Sequence, residues 1–83
     1  MWETHNQQLQ RTFTCSDFKA AWAFMTEVAF YAELADHHPN WSNVYNTVTI
    51  HLCTHDAGNT VTEKDHLLAK NIDAVFAKYA TKK

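Results

Sequence analysis

Glycine and proline occur once each in this chain, as Gly58 and Pro39. So few chain breakers rule out a flexible linker or a collagen-like segment, and no internal repeat or low-complexity stretch is present. Cysteine is nearly as scarce. Cys15 and Cys53 form neither a C-x-x-C pair nor the disulfide framework of a small secreted domain, so both read as buried or half-buried thiols in a reducing compartment. The longest unbroken apolar run, Ala20–Met25, is far short of the ~20 residues needed to span a bilayer. The polar N-terminal stretch lacks the apolar core of a secretory signal. A soluble protein of the cytoplasm is expected, and no membrane partner. An excess of positive charge is missing too. Seven Lys and Arg are scattered among nine Asp and Glu, for a net charge of −2 with neutral histidines. Such a chain has no electrostatic footprint for direct nucleic-acid binding.

What is present is apolar and element-forming. Apolar residues make up 46% of the 83 and aromatics 13%, which is the composition of a folded domain rather than a disordered one. A single domain spanning residues 1–83 is expected, near the lower size limit for a self-sufficient core. Burial of further surface in an oligomer would help to stabilise it.

Alternation of Leu9, Arg11 and Phe13 with Gln8, Gln10 and Thr12 predicts a strand, paired with residues 2–5 through a turn at Asn6-Gln7. A helix follows, with Phe18, Ala21, Trp22, Met25, Val28, Ala29 and Ala32 on one face. Thr14-x-x-Asp17, or Ser16, is its expected cap. Phe24 and Tyr31 fall off that stripe and mark a second face for a neighbouring subunit or element. Pro39 pushes His38 out of helical geometry, so the helix should end near Asp36. Val48, Ile50 and Leu52 alternate with Thr49, His51 and Cys53, which predicts a strand with one core face and one polar face. Trp41–Tyr45 is either the first arm of a hairpin turning at Asn46-Thr47 or part of one long strand. After a loop around Gly58, Thr62-x-x-Asp65 opens a second helix as a capping box. Its stripe is Leu68, Ile72, Val75, Phe76 and Tyr79, and Lys78, Lys82 and Lys83 suit its C-terminal end. The order ββαββα implies an α+β fold: a four-stranded antiparallel sheet with helices packed on one face.

The chemistry concentrates in Glu33-Leu34-Ala35-Asp36-His37-His38-Pro39 and in a third histidine, His55. Imidazole is the side chain whose ordinary pKa lets it hold or release a proton near neutrality. Adjacent histidines after a helix also offset its C-terminal partial charge, so the pair alone is ambiguous. His55 and Asp65 lie at further element ends, where sites are usually built. Glu33 lies one helical turn before His37, within reach to orient it. Asp65 can cap a helix with one oxygen and serve an imidazole or ligand with the other. His51, Cys53 and His55 share a strand face and are the rival metal set, but adjacent histidines in one loop rarely both ligate and no standard zinc spacing is present. No metal and no cofactor are expected.

Taken together, Glu33, His37, His38, Pro39, Tyr45, His55 and Asp65 resemble the signature of the pterin-4a-carbinolamine dehydratase family. Its vertebrate member is also the dimerisation cofactor of a hepatocyte homeodomain transcription factor. Phe13, Phe18, Ala21, Phe24, Met25, Val28, Ala29, Ala32, Thr54, Gly58 and Leu68-Ala69 extend the similarity from Trp2 to about Ala77. Two departures stand out: the family's usual αββαββα order lacks its first helix here, and the loop from His55 to Asp65 is about one residue longer than in vertebrate proteins. The resemblance implies a lyase that dehydrates 4a-hydroxytetrahydropterin to quinonoid dihydropterin. His37 and His55 would transfer protons, and His38 would be catalytic mainly by holding the ring. Glu33 and Asp65 would orient imidazoles or bind ring nitrogens, with Trp41 and Tyr45 walling the site. It also implies a homodimer or homotetramer, and as partners an aromatic amino acid hydroxylase or a homeodomain-type protein. The alternative function is a non-catalytic binding module acting as a transcriptional coactivator.

Overall fold

The computed structural model describes residues 2–80. Strand β1 (Glu3–His5) and β2 (Gln8–Thr14) form a hairpin, α1 (Phe18–Ala35) follows, then β3 (Asn40–Val44), β4 (Thr47–Leu52), a short 3-10 turn (His55–Ala57) and α2 (Glu63–Phe76). The sheet order is β1-β2-β4-β3 and every pairing is antiparallel. This is the expected ββαββα arrangement. The two arms around Tyr45-Asn46 pair as Val44 with Thr47 and Trp41 with Ile50, so the hairpin holds and the single long strand does not.

Alternation along the strands divides the sheet into two faces. Leu9, Phe13, Val48, Ile50 and Leu52 are buried with Ala21, Phe24 and Val28 of α1 and Leu68, Ala69, Ile72 and Val75 of α2 in one core. Gln10, Thr12, Thr49 and His51 lie in register on the other face. Phe13 is the centre of the core: its ring lies 5.0 Å from that of Phe24, 4.9 Å from Phe76 and 5.7 Å from Trp2. Aromatic pairs in this range add about 0.5–1.5 kcal/mol each beyond the area they bury.

Three local expectations are corrected. Phe24 belongs to the core, and the buried stripe of α1 is Ala21, Phe24, Val28 and Ala32, while Phe18 and Trp22 stay exposed. The helix surface in contact with the sheet is therefore rotated from the one that periodicity selects. The α1 cap is Asp17, whose Oδ1 accepts the Ala20 N–H at 2.8 Å. Thr14 cannot serve, because it is the last residue of β2 and Cys15 is held by Asn46 O. The second hairpin turns at Tyr45-Asn46, one residue early, with Tyr45 at φ 52°. Lys78 lies beyond the end of α2 and pairs with Glu27 of α1, while Lys82 and Lys83 lie outside the described residues. Both thiols are free, Cys15 buried and Cys53 half-buried. No helix among the described residues is long and apolar enough to cross a membrane.

Candidate active site

The site begins with the way α1 stops. Asp36 takes a left-handed conformation (φ 50°, ψ 44°). Its N–H bonds to Glu33 O at 3.1 Å and the next N–H, that of His37, bonds to Ala32 O at 3.0 Å. This paired return is the Schellman motif. It reverses the chain and carries His37 back beneath the helix end instead of letting it continue along the α1 surface.

Across from it, the capping box of α2 holds Asp65. Its Oδ2 accepts the Thr62 N–H at 2.8 Å and the Thr54 hydroxyl at 2.7 Å, and the Thr62 hydroxyl lies 2.5 Å from that of Thr54. Oδ1 faces His37 Nε2 at 2.5 Å. Asp65 is 0% exposed and His37 9%. Burial pushes the Asp65 carboxyl up, but the bonds from His37, the Thr62 N–H and Thr54 together outweigh it and hold the pKa below its ordinary value. The carboxylate is therefore ionised and accepts only, so His37 must carry its proton on Nε2 and keep Nδ1 for the cleft.

His37, His38 and His55 line one cleft of about 530 Å³ where the ends of β4 and α1 meet the start of β3. That volume lies within the ~300–1,000 Å³ usual for small-molecule pockets. The three histidines differ in their surroundings. His38 is exposed, with Nε2 3.0 Å from Glu33 Oε1. His55 is exposed at the head of the 3-10 turn, and its imidazole has no hydrogen-bond partner among the described residues. Glu33 thus partners His38, not His37 as its spacing implied, because the left-handed residue at Asp36 swings His37 away from the helix surface. Both Asp65 oxygens are engaged inside the protein, leaving it no surface to offer a ligand.

Trp41 and Tyr45 do not line this cleft. Trp41 pairs with core-facing Ile50, so it lies on the helix side of the sheet, in an apolar groove with Trp22, Met25, Thr26 and Ala29. Tyr45 is exposed at the far turn. Conversely, Gln8, Asn40, His51, Cys53 and Lys64 do line the cleft; of these the sequence singled out only His51 and Cys53, as a rival metal set with His55. Strand alternation carried the reading for His51 and Cys53, since it puts both on the face leading to His55. Gln8 and Asn40 depend on inter-strand register, which a sequence alone does not display. Among the described residues no three His, Cys, Asp or Glu side chains converge to hold a metal ion.

Fold and cleft define a class: a small α+β domain whose sheet end holds a carboxylate-anchored imidazole among further histidines. A model of the family described as pterin 4 alpha carbinolamine dehydratase matches residues 1–75. A protein of Synechococcus sp. (strain WH7803) bearing the family's name is 50% identical over 74 residues, covering 89% of this chain and 78% of that one. One of Rhizorhabdus wittichii is 55% identical over 67 residues, covering 81% and 68%. A crystal structure of a transcriptional coactivator/pterin dehydratase from Brucella melitensis superposes with a TM-score of 0.85 at 41% identity, over 89% of this chain and 80% of that one. A pterin dehydratase-like protein identified as a RuBisCO assembly factor in the alpha-carboxysome shares the fold at 22% identity, with a TM-score of 0.73 over 90% and 86%. The chain belongs to the pterin-4a-carbinolamine dehydratase family.

Proposed function

We propose that this protein dehydrates 4a-hydroxytetrahydropterin to quinonoid dihydropterin, the step that recycles tetrahydrobiopterin, by histidine acid/base chemistry. The observation that carries the reading is that His37, His38 and His55 share one cleft and that His37 is anchored by a buried carboxylate. Loss of water requires a proton delivered to the hydroxyl on C4a as its C–O bond breaks, and removal of the proton on N5 as the C=N bond forms. His37, with Nε2–H fixed on Asp65 and Nδ1 bare, suits the base: the imidazolium it becomes is stabilised by the adjacent carboxylate, as in other carboxylate–histidine pairs. His55, exposed and unpartnered, suits the acid, and the roles exchange for the opposite stereoisomer at C4a. His38, steadied by Glu33, holds the ring. Each well-placed transfer contributes roughly 10²–10⁴-fold, or about 3–5 kcal/mol of barrier.

A dehydration assay on His37→Ala and His55→Ala tests this. Both variants should fold and lose at least about 100-fold in turnover. Wild-type turnover in both removes the assignment.

A second reading, a protein-binding module, is favoured by one feature: α1 leaves Phe18, Trp22, Phe30 and Leu34 exposed, Leu34 at 85%. Apolar area of this kind marks an association surface. Gel filtration separates the readings. An enzyme alone runs as a homodimer or homotetramer indifferent to a helical partner, whereas a coactivator-type module changes its assembly when the partner is added.

A further inference from the structure

Resting on the pterin reading above, we infer that Gln8, His51 and Asn40 form a subsite for a hydroxyl-bearing substituent on the ring, and so set which pterin is preferred. The three side chains come from three neighbouring strands. His51 of β4 pairs with Asn40 of β3 on one side and with Gln10 of β2 on the other. Gln8, two residues from Gln10, shares that face, and His51 Nδ1 lies 3.1 Å from Gln8 Oε1. All three line the same cleft as the loop histidines, but from the strand face rather than from the loops. The cleft is of drug-like size, larger than a fused two-ring heterocycle needs, so a ring held between the loops leaves the strand face for its substituent.

The hydrogen bonds left over in this row choose the chemistry. With Gln8 Oε1 as the acceptor, His51 carries its proton on Nδ1, and its bare Nε2 is an acceptor. The Gln8 amide then keeps its two N–H donors, and the Asn40 side chain has no partner among the described residues. Turning the Gln8 amide over makes His51 Nε2 a donor and frees the Gln8 oxygen, so the row offers donors and acceptors interleaved in either orientation. A hydroxyl group both gives and takes a hydrogen bond and fits such a row. An acceptor-only carboxylate would satisfy the amides but oppose the lone pairs, and an apolar tail would offer nothing to the donors and acceptors that the Gln8–His51 bond leaves over. Fixed charge does not favour an anion either, since Lys64 is accompanied on the cleft wall by Asp36 and Asp56.

Calorimetric titration with two stable 7,8-dihydropterins, one carrying a 6-methyl group and one a 6-(1,2-dihydroxypropyl) chain, tests the inference independently of turnover. The wild type should bind the dihydroxypropyl compound about tenfold more tightly, the difference expected from one or two net hydrogen bonds. In His51→Phe, which keeps a ring and loses both nitrogens, the ratio should fall to within about twofold. Asn40→Ala, at an exposed edge position, should lower the ratio in the same direction and stands in if His51→Phe does not fold. Equal wild-type affinities, or a ratio that survives both substitutions, overturn the subsite while leaving the dehydratase reading intact. Tight, discriminating binding without any turnover overturns the dehydratase reading and leaves the subsite. No binding of either pterin overturns both.

Discussion

His37 Nε2 and Asp65 Oδ1 lie 2.5 Å apart although 28 positions separate them in the chain. Two terminal motifs meet at that bond: the Schellman stop of α1 aims the imidazole, and the capping box of α2 holds the carboxylate. Neither motif is specific to catalysis. Their juxtaposition converts two helix-end devices into a positioned imidazole with a fixed tautomer.

Asp65→Asn tests that geometry. Oδ2 of Asp65 receives two donors, the Thr62 N–H and the Thr54 hydroxyl, so the carbonyl oxygen of an asparagine must take that place. Its amide N–H₂ then points at His37, which must accept on Nε2 and carry its proton on Nδ1, the wrong tautomer for a base. Turnover should fall on the order of 10²–10⁴-fold with the far-ultraviolet circular dichroism unchanged. A variant with native turnover would show that Asp65 serves only the helix cap.

The same carboxylate makes stability depend on acid. Its pKa in the folded protein lies below the ordinary 3.8, with burial opposed and outweighed by the His37, Thr62 and Thr54 hydrogen bonds. In the unfolded chain the group binds its proton more readily, so stability falls as pH falls. The contribution is fully present above the unfolded value and is lost as pH drops through the folded one. Urea midpoints measured from pH 6 downward should therefore decline more steeply below about 4 in the wild type than in Asp65→Asn.

The scarcity of glycine has a measurable consequence. Asn6, Gln7, Asp36, Tyr45 and Asn59 all hold positive φ without being glycine. Gln7, at φ 64° in the turn between β1 and β2, has no side-chain hydrogen bond among the described residues. Asn-Gly is the preferred pair for a two-residue hairpin turn, and the left-handed region costs an ordinary residue roughly 1–2 kcal/mol. Gln7→Gly should stabilise the protein by about 1 kcal/mol, partly offset by the greater freedom of an unfolded glycine. Thermal melts should show a rise of ~4–8 °C for a domain of this size.

That scarcity also explains which parts of the fold were legible. Element order, the helix end near Asp36 and the α2 cap follow from periodicity, from Pro39 and from Thr62-x-x-Asp65, which act locally. The turn at Tyr45-Asn46 was displaced by one residue because no glycine marks it and Tyr45 accepts a left-handed conformation under tertiary constraint. Phe24 was assigned to the wrong face because the α1 surface is apolar almost all round, so periodicity alone does not choose between two stripes. At the cleft, the gathering of His37, His38 and His55 agreed with the spacing of their motif. The His37–Asp65 bond, the Glu33–His38 pair and the departure of Trp41 to the helix side depend on how chain reversals aim side chains, which spacing does not encode.

The anchor between sheet and α2 yields the last expected outcome. Asp73 Oδ1 accepts from Trp2 Nε1 and Arg11 Nη1, each at 2.8 Å, and the Arg11 guanidinium lies 4.5 Å from the centre of the Phe13 ring and 5.6 Å from that of Phe76. Removing either partner is not symmetrical. Asp73→Ala strands a mostly covered guanidinium, whose Nε is already without a hydrogen-bond partner, and strands the Trp2 indole N–H as well. It should cost about 1–3 kcal/mol. Arg11→Met keeps a flexible chain on the two aromatic rings, removes the charge, and leaves Asp73, which is 41% exposed at its side chain, free to hydrate and still bound to Trp2. It should cost under ~1 kcal/mol. Urea denaturation of the two variants measures the asymmetry. Equal losses would mean that the charge pair itself, rather than the stranding of a covered cation, holds β2 to α2.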